Sequence, residues 1–143
     1  MKHKLVWFEA GWFPYSYAFC PSERAWKVAT SKMSRGPSRY PESAGTTSLL
    51  VRKDTGTPIA IVTVQDRIPR ETIELLAHEA MHVWRDIRKQ MGETKPSSEL
   101  EAYAIQNILS NLMLAYIRTR GPLFFKAPLP SKQRRRPNGR ASA

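Results

Sequence analysis

Residues 78–82 read His-Glu-Ala-Met-His. Two imidazoles four residues apart, with a carboxylate beside the first, form a pattern that can hold a metal and move a proton. On a helix, positions i and i+4 share one face a turn apart, so His78 and His82 can reach one ion. Imidazole nitrogens bind Zn²⁺ at about 2.0–2.1 Å. Glu79 is placed to take a proton from a metal-activated water rather than to bind the metal. The chain has three histidines, and this motif uses two of them. The plainer alternative is a pair of surface histidines on an amphipathic helix.

A catalytic zinc site needs a third protein ligand. No histidine follows His82, and His3 is far upstream. Asp86 lies one turn beyond His82. Ligands at i, i+4 and i+8 would span about 12 Å along the axis, too far for one ion. The next helix offers Glu99 and Glu101. Its apolar stripe is Ala104, Ile105, Ile108, Leu109, Leu112 and Tyr116, and Glu101 lies on that same side. Glu99 is about 200° around the axis. A carboxylate on a buried face is costly unless it is paired or bound to metal. Glu101 is therefore the expected third metal ligand. The same residue would also suit a helix N-terminus, three residues after Ser98 in a capping box.

Positioning these groups requires two helices and a sheet. Pro69 opens a helix that Gly92 closes after Met91, with Ile73, Leu76, Ala77, Ala80, Met81 and Trp84 at helical spacing. Ser97 or Ser98 caps a second helix, which stops at Gly121-Pro122 after Arg120. Before them, Thr46–Lys53 and Pro58–Asp66 are β-rich, with a turn at Asp54-Thr55-Gly56. In the second strand Ile59 and Ile61 alternate with Ala60, Val62 and Val64, so both faces are apolar and the strand is expected inside a sheet. Thr46–Lys53 is more mixed and suits an edge. Further upstream, residues 3–9 read as a strand and residues 11–19 as an irregular strand or loop. Residues 21–33 read as a short helix and residues 34–45 as a loop. The four tryptophans, Trp7, Trp12, Trp26 and Trp84, are expected in the core.

Composition sets the limits. The 143 residues are 41% hydrophobic and 24% charged, enough for one packed domain. A single cysteine, Cys20, excludes an intrachain disulfide framework and reads as a small buried hydrophobe. No apolar run has the length of a membrane span or of a signal peptide, so a soluble, cytoplasmic protein is expected. The net charge is +11, and residues 126–143 carry six Lys/Arg and no acid. The expected organisation is a domain over residues 1–125 and a basic, disordered tail over 126–143. That tail suits nucleic-acid phosphates, or simply solvent.

With these residues together, the chain resembles gluzincins, the zinc metallopeptidases with a His, His, Glu ligand set. The resemblance rests on HEAMH and on SSELEAYAIQ after a short connection, and covers about residues 46–118. The strand, hairpin, HExxH-helix and Glu-helix order is similar to the mini-gluzincin type. The E-x-E-A run is similar to metallopeptidases that cleave phage repressors, and the size to small phage-encoded proteins. The resemblance implies an α+β, zincin-like fold: a small antiparallel or mixed sheet packed on the HExxH helix and a following Glu-bearing helix. It implies Zn²⁺ held by His78, His82 and Glu101, with Glu79 as general base and a peptide or protein as substrate. A host-cell cytoplasmic setting would follow if the chain is phage-encoded. Where thermolysin-like gluzincins place Asp four residues after the ligand glutamate, this chain has Ile105. Asp86, Gln106 and Asn107 are candidates to orient the ligands instead. Tyr15 and Tyr40 are loop residues that could fold over the site, whereas Tyr103 is on the wrong face of its helix. The rival readings are a zinc-containing binding or regulatory protein with little hydrolysis, and a nucleic-acid-associated protein acting through its tail.

Overall fold

Hydrophobic alternation and helix-stop residues translate directly into the central elements. The structure, a computed structural model, describes residues 3–9 and 15–123. The elements in order are β1 (Val6–Glu9), β2 (Ser16–Phe19), α1 (Glu23–Thr30), β3 (Met33–Arg35) and β4 (Gly45–Arg52). They continue with β5 (Pro58–Val64), α2 (Pro69–Met91) and α3 (Ser98–Arg120). The five strands form one mixed sheet in the order β1-β2-β5-β4-β3. Only β2 and β5 run parallel; the other pairs are antiparallel. The fold is α+β.

As its two apolar faces require, β5 is internal. Ala60, Val62 and Val64 face a core shared with α2 and α3, while Ile59 and Ile61 face a second core with Ala25 and Trp26 of α1. The sheet thus lies between the α2–α3 pair on one face and α1 on the other. Trp26 and Trp84 are fully buried, one in each core. Trp7, expected in the core, is 40% exposed, because β1 is an edge strand and this residue belongs to neither core cluster. Trp12 lies outside the described residues.

Local signals set the helix ends. Ser22 caps α1 by accepting from Ala25 N–H. Pro69 starts α2, and Gly92 ends it at φ 68°, a left-handed conformation that glycine adopts without steric cost. Ser97, not Ser98, caps α3 by accepting from Leu100 N–H. Glu101 is therefore one position past the capping-box site.

Two upstream expectations change. Helix α1 stops at Thr30, and Met33–Arg35 is a short strand pairing with Val51 and Arg52. Residues 16–19 form a regular strand, closed into the sheet by parallel pairing with Ala60–Val62. Cys20 follows it, fully buried; burial pushes its thiol up to about 11, so it stays protonated and unreactive at neutral pH. Among the described residues no helix is long and apolar enough to cross a membrane. The tail over 126–143 lies outside the described residues.

Candidate functional site

Helix α2 packs against α3, β4 and β5, and each face of α2 has a different neighbour. Leu76, Ala80, Val83, Trp84 and Ile87 enter the core. The face carrying His78 and His82 is left toward solvent, with His78 exposed and His82 partly so. Their Nε2 atoms are 3.0 Å apart, and the rings meet edge-on at a centroid separation of 4.8 Å. Two imidazoles bound to one tetrahedral zinc would hold their nitrogens about 3.3 Å apart. The observed pair converges to within a few tenths of an ångström of that spacing. As donors of a shared ion, these two side chains fit.

Glu79 is about 100° around the axis from His78 and turns toward the sheet. It is 2% exposed. Thr47 Oγ1–H of β4 donates to its Oε2 at 2.6 Å, so the buried carboxylate is hydrogen-bonded. Gly45 lies on the other side. A Cβ built there would be 2.9 Å from Glu79 Oε1 and 3.3 Å from Leu75 Cδ2, so only glycine lets the carboxylate sit this close to the strand. Gly45, His78 and Glu79 line a cavity of about 550 Å³ with Ser43, Glu71 and Arg67. Thr47 and Gly45 are site residues that the sequence reading missed. A threonine and a glycine in a strand are ordinary, and only the register of β4 against α2 gives them this role.

Replacing Gly45 by alanine is expected to displace the carboxylate while sparing the fold, because the clashing atom is the free end of a side chain. We expect any Glu79-dependent turnover to drop by about tenfold, less than the roughly 10²- to 10⁴-fold of losing a general base outright. Thermal melting should change little. Unchanged turnover would show that the contact does not set the position of Glu79.

Glu101 does not join the histidines. Its Oε2 accepts from Trp84 Nε1–H at 3.0 Å and from Arg88 at 3.1 Å. Trp84 and Arg88 are about 200° and 240° around α2 from His82. The cause is the face of α2 that α3 covers. Trp84 is only about 3 Å further along the axis than His82 but lies across it. The first turn of α3 packs on the side carrying Trp84 and Arg88, away from the histidines. Among the described residues no group of three His, Cys, Asp or Glu side chains could hold a metal. Of the three expected ligands, the structure brings together only His78 and His82.

Glu101→Ala should therefore leave metal binding unchanged and lower thermal stability. The Trp84 N–H, then Arg88, holds the Glu101 carboxyl below its ordinary value of 4.5. A depressed folded pKa contributes stability above that ordinary value, and the contribution is lost as pH falls through the depressed one. The wild-type and Glu101→Ala melting curves should therefore converge in acid. Loss of metal in Glu101→Ala at unchanged melting temperature would restore it as a ligand.

The other candidates are also placed. Asp86 is pushed up by burial, with His82 and Lys89 acting in the opposite direction. Tyr15 donates to Gln90 O near the end of α2. Tyr40 packs edge-on against Trp26, across the sheet from the histidines. Tyr103 is exposed on α3. His3 is also exposed. Asn107 accepts from Asn111, and Gln106 is exposed.

Comparison with known proteins gave no match: no family model matches the chain, and no similar curated protein or solved structure was found.

Proposed function

We propose that this chain is a zinc-dependent hydrolase of peptide bonds, built on His78, His82 and Glu79. The observations that carry the reading are the convergence of the two imidazole nitrogens and the buried, hydrogen-bonded carboxylate of Glu79, which lines one cavity together with His78. Zinc, when bound by His78 and His82, would supply the Lewis acidity that makes water a nucleophile near neutral pH. The chain's own residues do the rest. Glu79 accepts a proton from the attacking water and delivers it to the amine nitrogen as the C–N bond breaks. Thr47 and Gly45 hold Glu79 at the sheet side of the cavity.

The first half of β4 is suited to hold the substrate. β3 pairs only with Val51 and Arg52, so among the described residues no strand covers the outer side of Gly45–Ser48. A shallow cavity of about 320 Å³, lined by Tyr40, Ser43, Thr46 and Ser48, lies at this edge and shares Ser43 with the histidine cavity. An extended peptide added to the edge would gain main-chain hydrogen bonds and pass beside Glu79.

The two-imidazole donor set favours one other reading, a metal-holding regulatory protein with little hydrolysis. Equilibrium dialysis against Zn²⁺, run beside cleavage of an unstructured peptide mixture, tests both. The hydrolase reading expects one zinc per chain, cleavage that chelator abolishes, and loss of both in His82→Ala. One zinc per chain without cleavage selects the regulatory reading. No zinc uptake ends both.

A further inference from the structure

We infer that the α1 side of the sheet, opposite the histidines, carries a binding trough for single-stranded nucleic acid. Charge is segregated between the two sides of this chain. Residues 3–57 contain eight Lys/Arg and four Asp/Glu, whereas residues 58–123 contain eight of each. The excess therefore belongs to α1, β3, the end of β4 and the adjoining loop lysines Lys4 and Lys32, and it is separate in sequence from the basic tail.

Within this region two depressions of about 650 and 250 Å³ share Trp7, Lys32 and Met33 and so form one continuous trough. Arg52 and Lys53 line the larger part, and Lys4 lines the smaller. Two acids, Glu9 and Asp54, also line it. Asp54 is engaged by Arg52 through two hydrogen bonds, of 3.0 and 2.7 Å. That leaves three lysines against Glu9.

The ring decides the ligand class. Trp7 is 40% exposed, with the Arg52 guanidinium 5.5 Å from its ring centroid. Exposed indole beside spaced ammonium groups is the combination that stacks an unpaired base while neutralising its phosphates. An acidic peptide would use the lysines but give the indole no partner. A duplex keeps its bases stacked on one another, away from a ring set within a trough.

The probe is a 5′-fluorescein-labelled dT15 oligonucleotide, followed by anisotropy on the full chain across a salt series. Trp7→Leu should weaken dT15 binding at least fivefold, as loss of one base stack does. The K32E/K53E double variant alters exposed positions and should keep the fold. It should weaken binding and reduce the salt slope by about 1.4, the loss of two phosphate contacts to a single strand. A hairpin duplex of equal length should bind more weakly than dT15. The idea is overturned if wild type does not bind dT15, or if the duplex binds as well. It is equally overturned if R134Q/R135Q/R136Q removes binding that Trp7→Leu and K32E/K53E leave intact.

Discussion

Glu79→Gln is expected to reduce peptide hydrolysis by about 10²- to 10⁴-fold, the range of a lost general base, with zinc content unchanged. Under the proposed mechanism the amide cannot accept the proton of the attacking water. It is the same size as the carboxylate, and its carbonyl oxygen can still accept from Thr47, so the packing against β4 survives. The histidine donors, on another face of α2, are untouched. Turnover, zinc per chain and melting temperature, measured on the same preparations, separate the possibilities. Loss of turnover with full zinc and a native melt supports Glu79 as the base. Turnover that survives in Glu79→Gln would remove the mechanism, and loss of zinc would make Glu79 a metal ligand instead.

Trp84→Ala is expected to lower the unfolding free energy by about 3–5 kcal/mol, the usual cost of truncating a large buried aromatic. Trp84 is fully buried between α2, α3 and the sheet, and its indole N–H holds Glu101 on the first turn of α3. The substitution leaves a cavity and removes a donor from a carboxylate that Arg88 also contacts. Against a typical total of about 5–15 kcal/mol, this is a large fraction of the stability. Urea titration gives the value from the shift in midpoint at constant slope. A loss below about 1 kcal/mol would mean that the α2–α3 interface does not depend on this side chain.

These two residues also separate what can be read in one sequence from what cannot. Glu79 is recognisable from the linear chain because its partners His78 and His82 are within one helical turn. Trp84 is legible as core from the helical spacing of its neighbours. The role of Glu101 is not, although its side of α3 is. Its spacing from Ala104, Ile105 and Ile108 places it on the side that meets another element. Whether that element brings histidines or Trp84 and Arg88 depends on which face of α2 the second helix covers. A different rotation of α2 about its axis would change the neighbour without changing any residue of α3.

The same division holds across the sheet. The β4–β5 hairpin follows from its turn residues and alternation, and the register pairs Gly45 with Val64 through Val51 with Pro58. The parallel pairing of β2 with β5 joins segments about 40 residues apart, with no local turn to mark it. β3 is three residues long, too short for alternation to distinguish it from the surrounding loop. Thr47 and Gly45 gain their places beside Glu79 only when β4 packs on α2.

Read alone, the chain determined its two long helices, their stop residues, the hairpin and the paired imidazoles. Each of these depends on residues within a few positions of one another, where helical or strand periodicity is a reliable guide to geometry. Tertiary structure decided that Glu101 braces α2 against α3, that β4 supplies the neighbours of Glu79, and that Trp7 stays half in solvent. Those outcomes depend on where one element ends relative to another. Chain reversals and long-range strand pairing set that relation, and both are settled by burying the whole core at once rather than by any local pattern.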